Sequence, residues 1–175
     1  MRRWSLFLVL AIALPYAGCK LFTPDHRLVR APCGMNIEKV LYAEEKAWGV
    51  GLPGDNETGV IAYELPEDVS KALELRGLGY LEGLDCARRD GGDWRGRFYR
   101  WKRTPIQDGR KWAKAGDPEI RTYLGQYGFD INISPTIEAE INAAISGSDA
   151  FFAYGQIGFA ILVPSKRRAY FVYAG

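Results

Sequence analysis

The sequence has few histidines and cysteines, two side chains that many enzymes use for catalysis. Among its 175 residues there is one histidine, His26, and there are three cysteines. A single histidine excludes the two-histidine zinc helix of metalloproteases, and a histidine-based triad would have to use His26. The chain also lacks a C-x-x-C pair, a glycine-rich phosphate loop and a G-x-S-x-G nucleophile turn. We therefore expect no catalytic residue, no cofactor and no metal site, and predict that the protein is not an enzyme.

Long apolar runs are also absent after residue 19, so we expect no membrane-spanning helix there. The start of the chain differs, because the basic "MRR" is followed by the short apolar run "WSLFLVLAIAL" and then by "PYAGC". This layout is typical of a secretory signal peptide, whose apolar core is too short to span a bilayer. An ordinary signal peptide cut elsewhere and a core helix ending at Gly18 are the alternatives.

The four residues Tyr16-Ala17-Gly18-Cys19 resemble the lipobox of bacterial lipoproteins. The resemblance implies that residues 1–18 are removed and that Cys19 becomes an N-terminus carrying diacylglycerol and a fatty acyl chain such as palmitate. It also implies, because Lys20 and not aspartate follows, an outer-membrane protein that faces the periplasm. Residues 19–34 contain two prolines and no periodicity, so we interpret them as a tether that ends near Cys33.

Net charge is the third absence. The whole chain has 23 Lys and Arg against 21 Asp and Glu, and removal of Arg2 and Arg3 with the leader leaves 21 of each. A neutral domain in the cell envelope lacks the cationic field that nucleic-acid binding requires, so we expect no nucleic-acid partner.

The two remaining cysteines, Cys33 and Cys86, form an even pair. In an oxidising compartment a disulfide is the usual state of such a pair, and we predict one. The alternative is a reactive thiol, which would need a base, and His26 in the tether is the only histidine.

The pattern of residues 35–175 predicts a single α+β domain with an antiparallel sheet. We expect a strand at "TGVIAYEL", a helix after Pro66 that breaks near Gly77, and helices that begin at Asp117-Pro118 and Ser134-Pro135. Residues 36–48 suit either a strand or a helix. The runs "AFFAY", "GFAILV" and "AYFVYAG" predict a C-terminal three-strand meander, with about three helices on one face of the sheet.

Charge is distributed unevenly along this domain. Residues 88–114 contain 10 basic and 3 acidic side chains, whereas residues 36–85 contain 11 acidic and 4 basic ones. The basic segment also carries several aromatic residues, and Arg and Trp are enriched at binding hot spots. We predict that it forms a partner-binding surface through Trp94, Arg95, Arg97, Tyr99, Trp101 and Arg103. The alternative is internal: the cations pair with the acidic helices and the aromatic rings fill the edge of the core.

Together these features suggest an envelope lipoprotein that acts by binding. The specific hypothesis is a periplasmic binding or inhibitory module, such as a protector against an envelope-targeting toxin or hydrolase. We expect a protein partner in the envelope, with an anionic glycan or lipid headgroup as a further option. The alternatives are an accessory subunit of an envelope assembly and a hydrolase with an unrecognised carboxylate site.

Overall fold

A computed structural model describes residues 25–47, 57–84, 86, 96–107, 118–128 and 131–175. Six antiparallel strands form one sheet in the order β1-β2-β6-β5-β4-β3. The strands are β1 Val40–Ala47, β2 Glu57–Glu64, β3 Lys102–Arg103, β4 Phe151–Tyr154, β5 Gly158–Val163 and β6 Arg168–Ala174. The helices in the same residues are α1 Glu67–Arg76, α2 Leu78–Glu82, α3 Ile120–Leu124 and α4 Pro135–Ser146. The α+β class and the C-terminal meander β4-β5-β6 are therefore confirmed.

The centre of the sheet is formed by β6, which lies between β2 and β5. Phe171 of β6 faces Ile61 of β2 on one side and Ala160 of β5 on the other. Every residue of β5 is buried, as is every residue of β6 after Arg168. The middle position of "FAILV" within the meander is therefore confirmed, and the last strand of the chain is the centre of the whole sheet.

The helices cover both faces of the sheet, whereas we expected them on one face. One core contains residues such as Val172 and Phe159 together with side chains of α3 and α4. The other contains Phe171 and Ala160 together with side chains of α1 and α2. The physical reason is that β5, β6 and the run Val60 to Tyr63 of β2 carry apolar side chains on both sides, and such strands need cover on both faces.

Helix boundaries follow the sequence signals in part. The helix after Pro66 breaks as expected at Gly77, whose φ of 55° favours glycine, and α2 follows. The helix after Ser134 has Pro135 at its first position as expected, although the Ser134 side chain makes no capping hydrogen bond. Residues 36–48, left open between strand and helix, contain the edge strand β1.

The predicted start at Asp117-Pro118 is wrong at Pro118, and Asp117 lies outside the described residues. The helix α3 begins two residues later, at Ile120. The Ile120 N–H donates to Asn142 Oδ1 at 2.9 Å. A side chain of α4 therefore accepts the hydrogen bond from the first turn of α3 that the sequence predicted for a cap at Asp117. This substitution of a tertiary partner for a local one cannot be read from the sequence around Asp117.

Residues 25–34, which we assigned to the tether, pack against the domain. The short 3₁₀ helix His26–Arg30 is followed by Ala31 and Cys33, which are both buried. Arg30 donates to Glu45 at 2.8 Å and to Glu57 at 3.1 Å, so it joins this segment to β1 and β2. Residues 25–34 therefore pack as part of the domain.

A tyrosine of β6 completes that polar network. Tyr173 donates its hydroxyl hydrogen to Glu45 at 2.5 Å and accepts from Arg30 at 2.8 Å. Burial raises the pKa of Tyr173 well above its ordinary value, so the hydroxyl stays protonated and continues to donate. The ring lies over Gly59 of β2, where a Cβ atom would be 2.5 Å from the ring carbon Cζ.

This contact predicts opposite effects for the same substitution at two glycines. Gly59→Ala forces a methyl group into the Tyr173 ring, which its hydrogen bonds hold in place, and should lower the free energy of unfolding by about 1–3 kcal/mol. Gly79→Ala is the control, because a Cβ in α2 meets no atom of the described residues within 4 Å. It should raise the free energy of unfolding by up to about 1 kcal/mol. Urea unfolding of both variants checks the pair; equal effects would contradict the packing around Tyr173.

Candidate partner-binding face

The segment 96–103 carries the described part of the predicted partner surface, and it is fixed to the domain at both ends. At its start, the Cys33 N–H donates to the Gly96 carbonyl oxygen at 3.0 Å. A Cβ at Gly96 would lie 2.7 Å from the Ala31 carbonyl oxygen, so the approach requires glycine. At its end, β3 pairs with β4, and the Thr104 N–H donates to Ala150 at 3.0 Å.

The middle of the segment is anchored by Phe98, which is 3 % exposed. Its ring packs edge to face on the Phe171 ring, with the two centroids 5.5 Å apart, and its centroid lies 6.0 Å from that of the Trp101 ring. Gly155 leaves the space for it, because a Cβ there would lie 2.9 Å from the Phe98 ring. Phe98 therefore connects the segment to the central strand of the sheet.

The residues on either side of Phe98 are at least partly exposed at the surface of the domain. Tyr99 is 59 % exposed, Arg103 is exposed, and Arg97 and Trp101 are half-buried. The structure thus brings four of the six predicted partner residues into one segment at the edge of the sheet. The other two, Trp94 and Arg95, lie outside the described residues.

Acidic side chains of the domain pair with cations from elsewhere. Glu64 pairs with Lys39 and Arg167, and Glu45 pairs with Arg27 and Arg30. In the described ranges, no ion pair joins Arg97, Arg100 or Arg103 to another residue. The internal-pairing alternative therefore finds no support at these three arginines.

The position of Arg103 is set by contacts other than ion pairs. Its guanidinium carbon lies 4.9 Å from the centroid of the Phe151 ring. A Cβ at Gly77 would lie 2.8 Å from Arg103 Nη2, so the glycine that breaks α1 from α2 also makes room for this side chain. The guanidinium thereby lies at the C-terminal end of α1, where a positive charge is favourable.

Sequence reasoning missed Arg100 as a site residue. Arg100 is exposed and has a φ of 58°, in the left-handed region that residues with a Cβ rarely adopt. Such strained positions persist where the surrounding structure holds them, and they cluster at functional sites. Arginine gives no sequence signal for this conformation, which is usually marked by glycine or asparagine.

Two cavities flank the segment. One, of about 360 Å³, lies between the segment and the chain around α2; its lining includes Leu81, Glu82, Leu84, Cys86, Phe98, Tyr99, Arg100 and Trp101. The other, of about 440 Å³, is lined by residues of 102–107 and by Phe152. Both volumes fall in the range of small-molecule and side-chain binding pockets.

The predicted disulfide between Cys33 and Cys86 is confirmed, with the two Cα atoms 5.5 Å apart. Cys86 lines the first cavity, while Cys33 makes the backbone hydrogen bond to Gly96. The crosslink therefore joins the residues after α2 to the segment that starts the candidate face.

The described residues contain no helix long and apolar enough to cross a membrane. In the same part of the chain, no three side chains of His, Cys, Asp or Glu gather as a metal site would require. Comparison of the chain with protein-family models, curated proteins and solved structures gives no match.

Removal of the disulfide should loosen the candidate face. In a Cys19→Ser background, which prevents pairing with a third cysteine, Cys33→Ala with Cys86→Ala should lower the free energy of unfolding by about 2–4 kcal/mol. Amide hydrogen exchange at Arg97 to Trp101 should become faster than in the Cys19→Ser parent, because Gly96 loses its fixed neighbour. Unchanged exchange in this segment would show that the crosslink does not support the face.

Proposed function

We propose that this protein is a lipid-anchored lipoprotein of the bacterial envelope that acts by binding a protein partner. The specific version is a periplasmic inhibitory module that protects against an envelope-targeting toxin or hydrolase. An accessory subunit of an envelope assembly would use the same face, and the identity of the captured protein distinguishes the two.

The observation that carries this proposal is the combination of charge and rigidity in residues 96–103. Arg97, Arg100 and Arg103 carry positive charge that no described carboxylate neutralises by an ion pair. Exposed Tyr99 and half-buried Trp101 lie among them. Arginine tolerates desolvation at an interface and binds carboxylates bidentately, and aromatic residues supply contact area. A surface already held in place also loses little conformational entropy on binding.

The hydrolase alternative would need a pair of carboxylates in a substrate-sized cleft. Glu140 and Asp149 line one cavity, but its volume is about 130 Å³, below the usual range for substrate pockets. Glu140 also accepts a 2.5 Å hydrogen bond from Tyr170. These features favour binding over hydrolysis as the function to test first.

Lipidation at Cys19 is the part of the proposal that lies outside the described residues. If Cys19 carries the anchor, the chain from it to Asp25 can extend at most roughly 20 Å. The domain would then stay close to the membrane, and its partner would have to be met there.

Lipidation is tested by the mass of the mature protein. We expect an N-terminal Cys19 that carries diacylglycerol and an acyl chain, and we expect Cys19→Ser to release the protein from the membrane fraction or leave it unprocessed. The control is Cys33→Ala with Cys86→Ala, which should remain in the membrane fraction. An intact Met1 or a free Cys19 thiol in the membrane-bound protein would contradict this part.

Partner capture tests the face itself. Crosslinked envelope extracts should yield a protein that the wild type retains and that Arg97→Ala and Arg103→Ala lose at least in part, with unfolding changed by no more than about 1 kcal/mol. Arg121→Ala is the matched control, because Arg121 is an exposed arginine on α3, which covers the other face of the sheet.

Trp101→Ala is measured separately, since a half-buried tryptophan also contributes to packing against Phe98. Full retention of the partner by both arginine variants would contradict the proposed binding face. Equal loss with Arg121→Ala would indicate a nonspecific charge effect and would also contradict it.

A further inference from the structure

The cavity beside α2 has both apolar and charged side chains in its lining. Leu81, Leu84, Phe98 and Trp101 contribute apolar lining, and the cavity measures about 360 Å³. The charged side chains in its lining are Glu82 and Arg100. A volume and lining of this kind suit one large apolar side chain of a partner.

The charged side chains near the cavity determine which residues of the partner can flank that apolar side chain. Residues 96–107 contain Arg97, Arg100, Lys102 and Arg103 and no acidic residue. Among the described residues, Glu82 and Arg100 are the charged side chains that line this cavity, whereas Lys102 and Arg103 line the neighbouring one. An occupant with carboxylates next to its apolar group matches the positive charge of this segment, because opposite charges across an interface favour the encounter and fix the orientation.

We infer that this cavity is the socket for an acidic peptide segment of the partner protein, in which an aromatic or aliphatic side chain enters the cavity and flanking carboxylates meet Arg100 and its neighbours. This inference rests on the proposed binding function and specifies the chemistry of the partner. A glycan fits less well, since its hydroxyl groups would face Leu81 and Leu84, and unpaired polar groups in an apolar site are costly. A lipid surface fits less well because Leu81 and Phe98 are buried side chains at the bottom of a recess, which a flat surface cannot reach.

The strained backbone of Arg100 allows a variant that separates loss of binding from loss of stability. Its φ of 58° is unfavourable for arginine and favourable for glycine. Arg100→Gly therefore removes the rim cation and should leave the urea midpoint unchanged or raise it, so a loss of binding cannot be attributed to unfolding. Glu82→Gln is the variant of opposite sign, because it removes the carboxylate that repels an acidic peptide.

The experiment titrates the isotope-labelled protein with the blocked peptide Asp-Glu-Phe-Glu-Asp and follows its two-dimensional NMR spectrum. We expect shifts at the amides of Leu81, Leu84 and Arg100 and at the indole N–H of Trp101. Arg100→Gly should weaken binding about tenfold or more, as expected for a lost charge-assisted contact, and Glu82→Gln should strengthen it. Peptides with alanine in place of phenylalanine, or with lysines in place of the acids, should bind more weakly.

Several outcomes would overturn the inference. Binding that survives Arg100→Gly, shifts that lie away from the cavity, or equal binding of the lysine peptide would each do so. Shifts produced by phosphatidylglycerol vesicles or by a sulfated glycan, in the absence of peptide binding, would assign the cavity to another ligand. If the acidic peptide fails while Arg103→Ala still abolishes partner capture, the socket is wrong and the proposed function stands. If the peptide binds while Arg97→Ala and Arg103→Ala both retain the partner fully, the socket stands and the proposed function fails.

Discussion

The burial of Phe98 against Phe171 is the contact on which the candidate face depends. Phe171 belongs to β6, the central strand of the sheet, so its position is fixed by neighbours on both sides. Phe98 extends that fixed core to the sheet edge, where β3 has only two residues and could not order the segment alone. The arginines and aromatic residues around Phe98 are thereby held in fixed positions, and the disulfide holds the start of the segment.

The sequence predicts those parts of this arrangement whose causes are local or periodic. The apolar run of β5 and the glycine break at Gly77 were both expected, and both are present. The disulfide was expected from an even pair of cysteines, on the hypothesis that the domain lies in an oxidising compartment. The parts that were missed depend on distant partners or on backbone strain: α3 starts where Asn142 caps it, and Arg100 adopts a conformation that arginine does not signal. The placement of helices on both faces was missed because it depends on three apolar strands lying side by side.

The electrostatics show the same dependence on distant partners. In the sequence, a basic segment lies between acidic ones, and this order suggests that neighbouring segments neutralise each other. In the described residues Glu45, Glu57 and Glu64 pair instead with cations that lie outside the basic block, namely Arg27, Arg30, Lys39 and Arg167. Three arginines of the block are consequently left without an ion pair to a described residue, and this residual charge is the basis of the binding proposal.

The central claim, that the edge around Tyr99 and not another exposed surface meets the partner, can be tested by site-specific photocrosslinking in intact envelopes. Tyr99 and Tyr127 are both 59 % exposed, and Tyr127 follows α3, which packs into the core on the other face of the sheet from Phe98. The same photoreactive amino acid placed at either position therefore gives a matched pair. Our account predicts a discrete protein adduct from position 99 and none from position 127. An adduct from position 127 alone, or equal adducts from both, would contradict it.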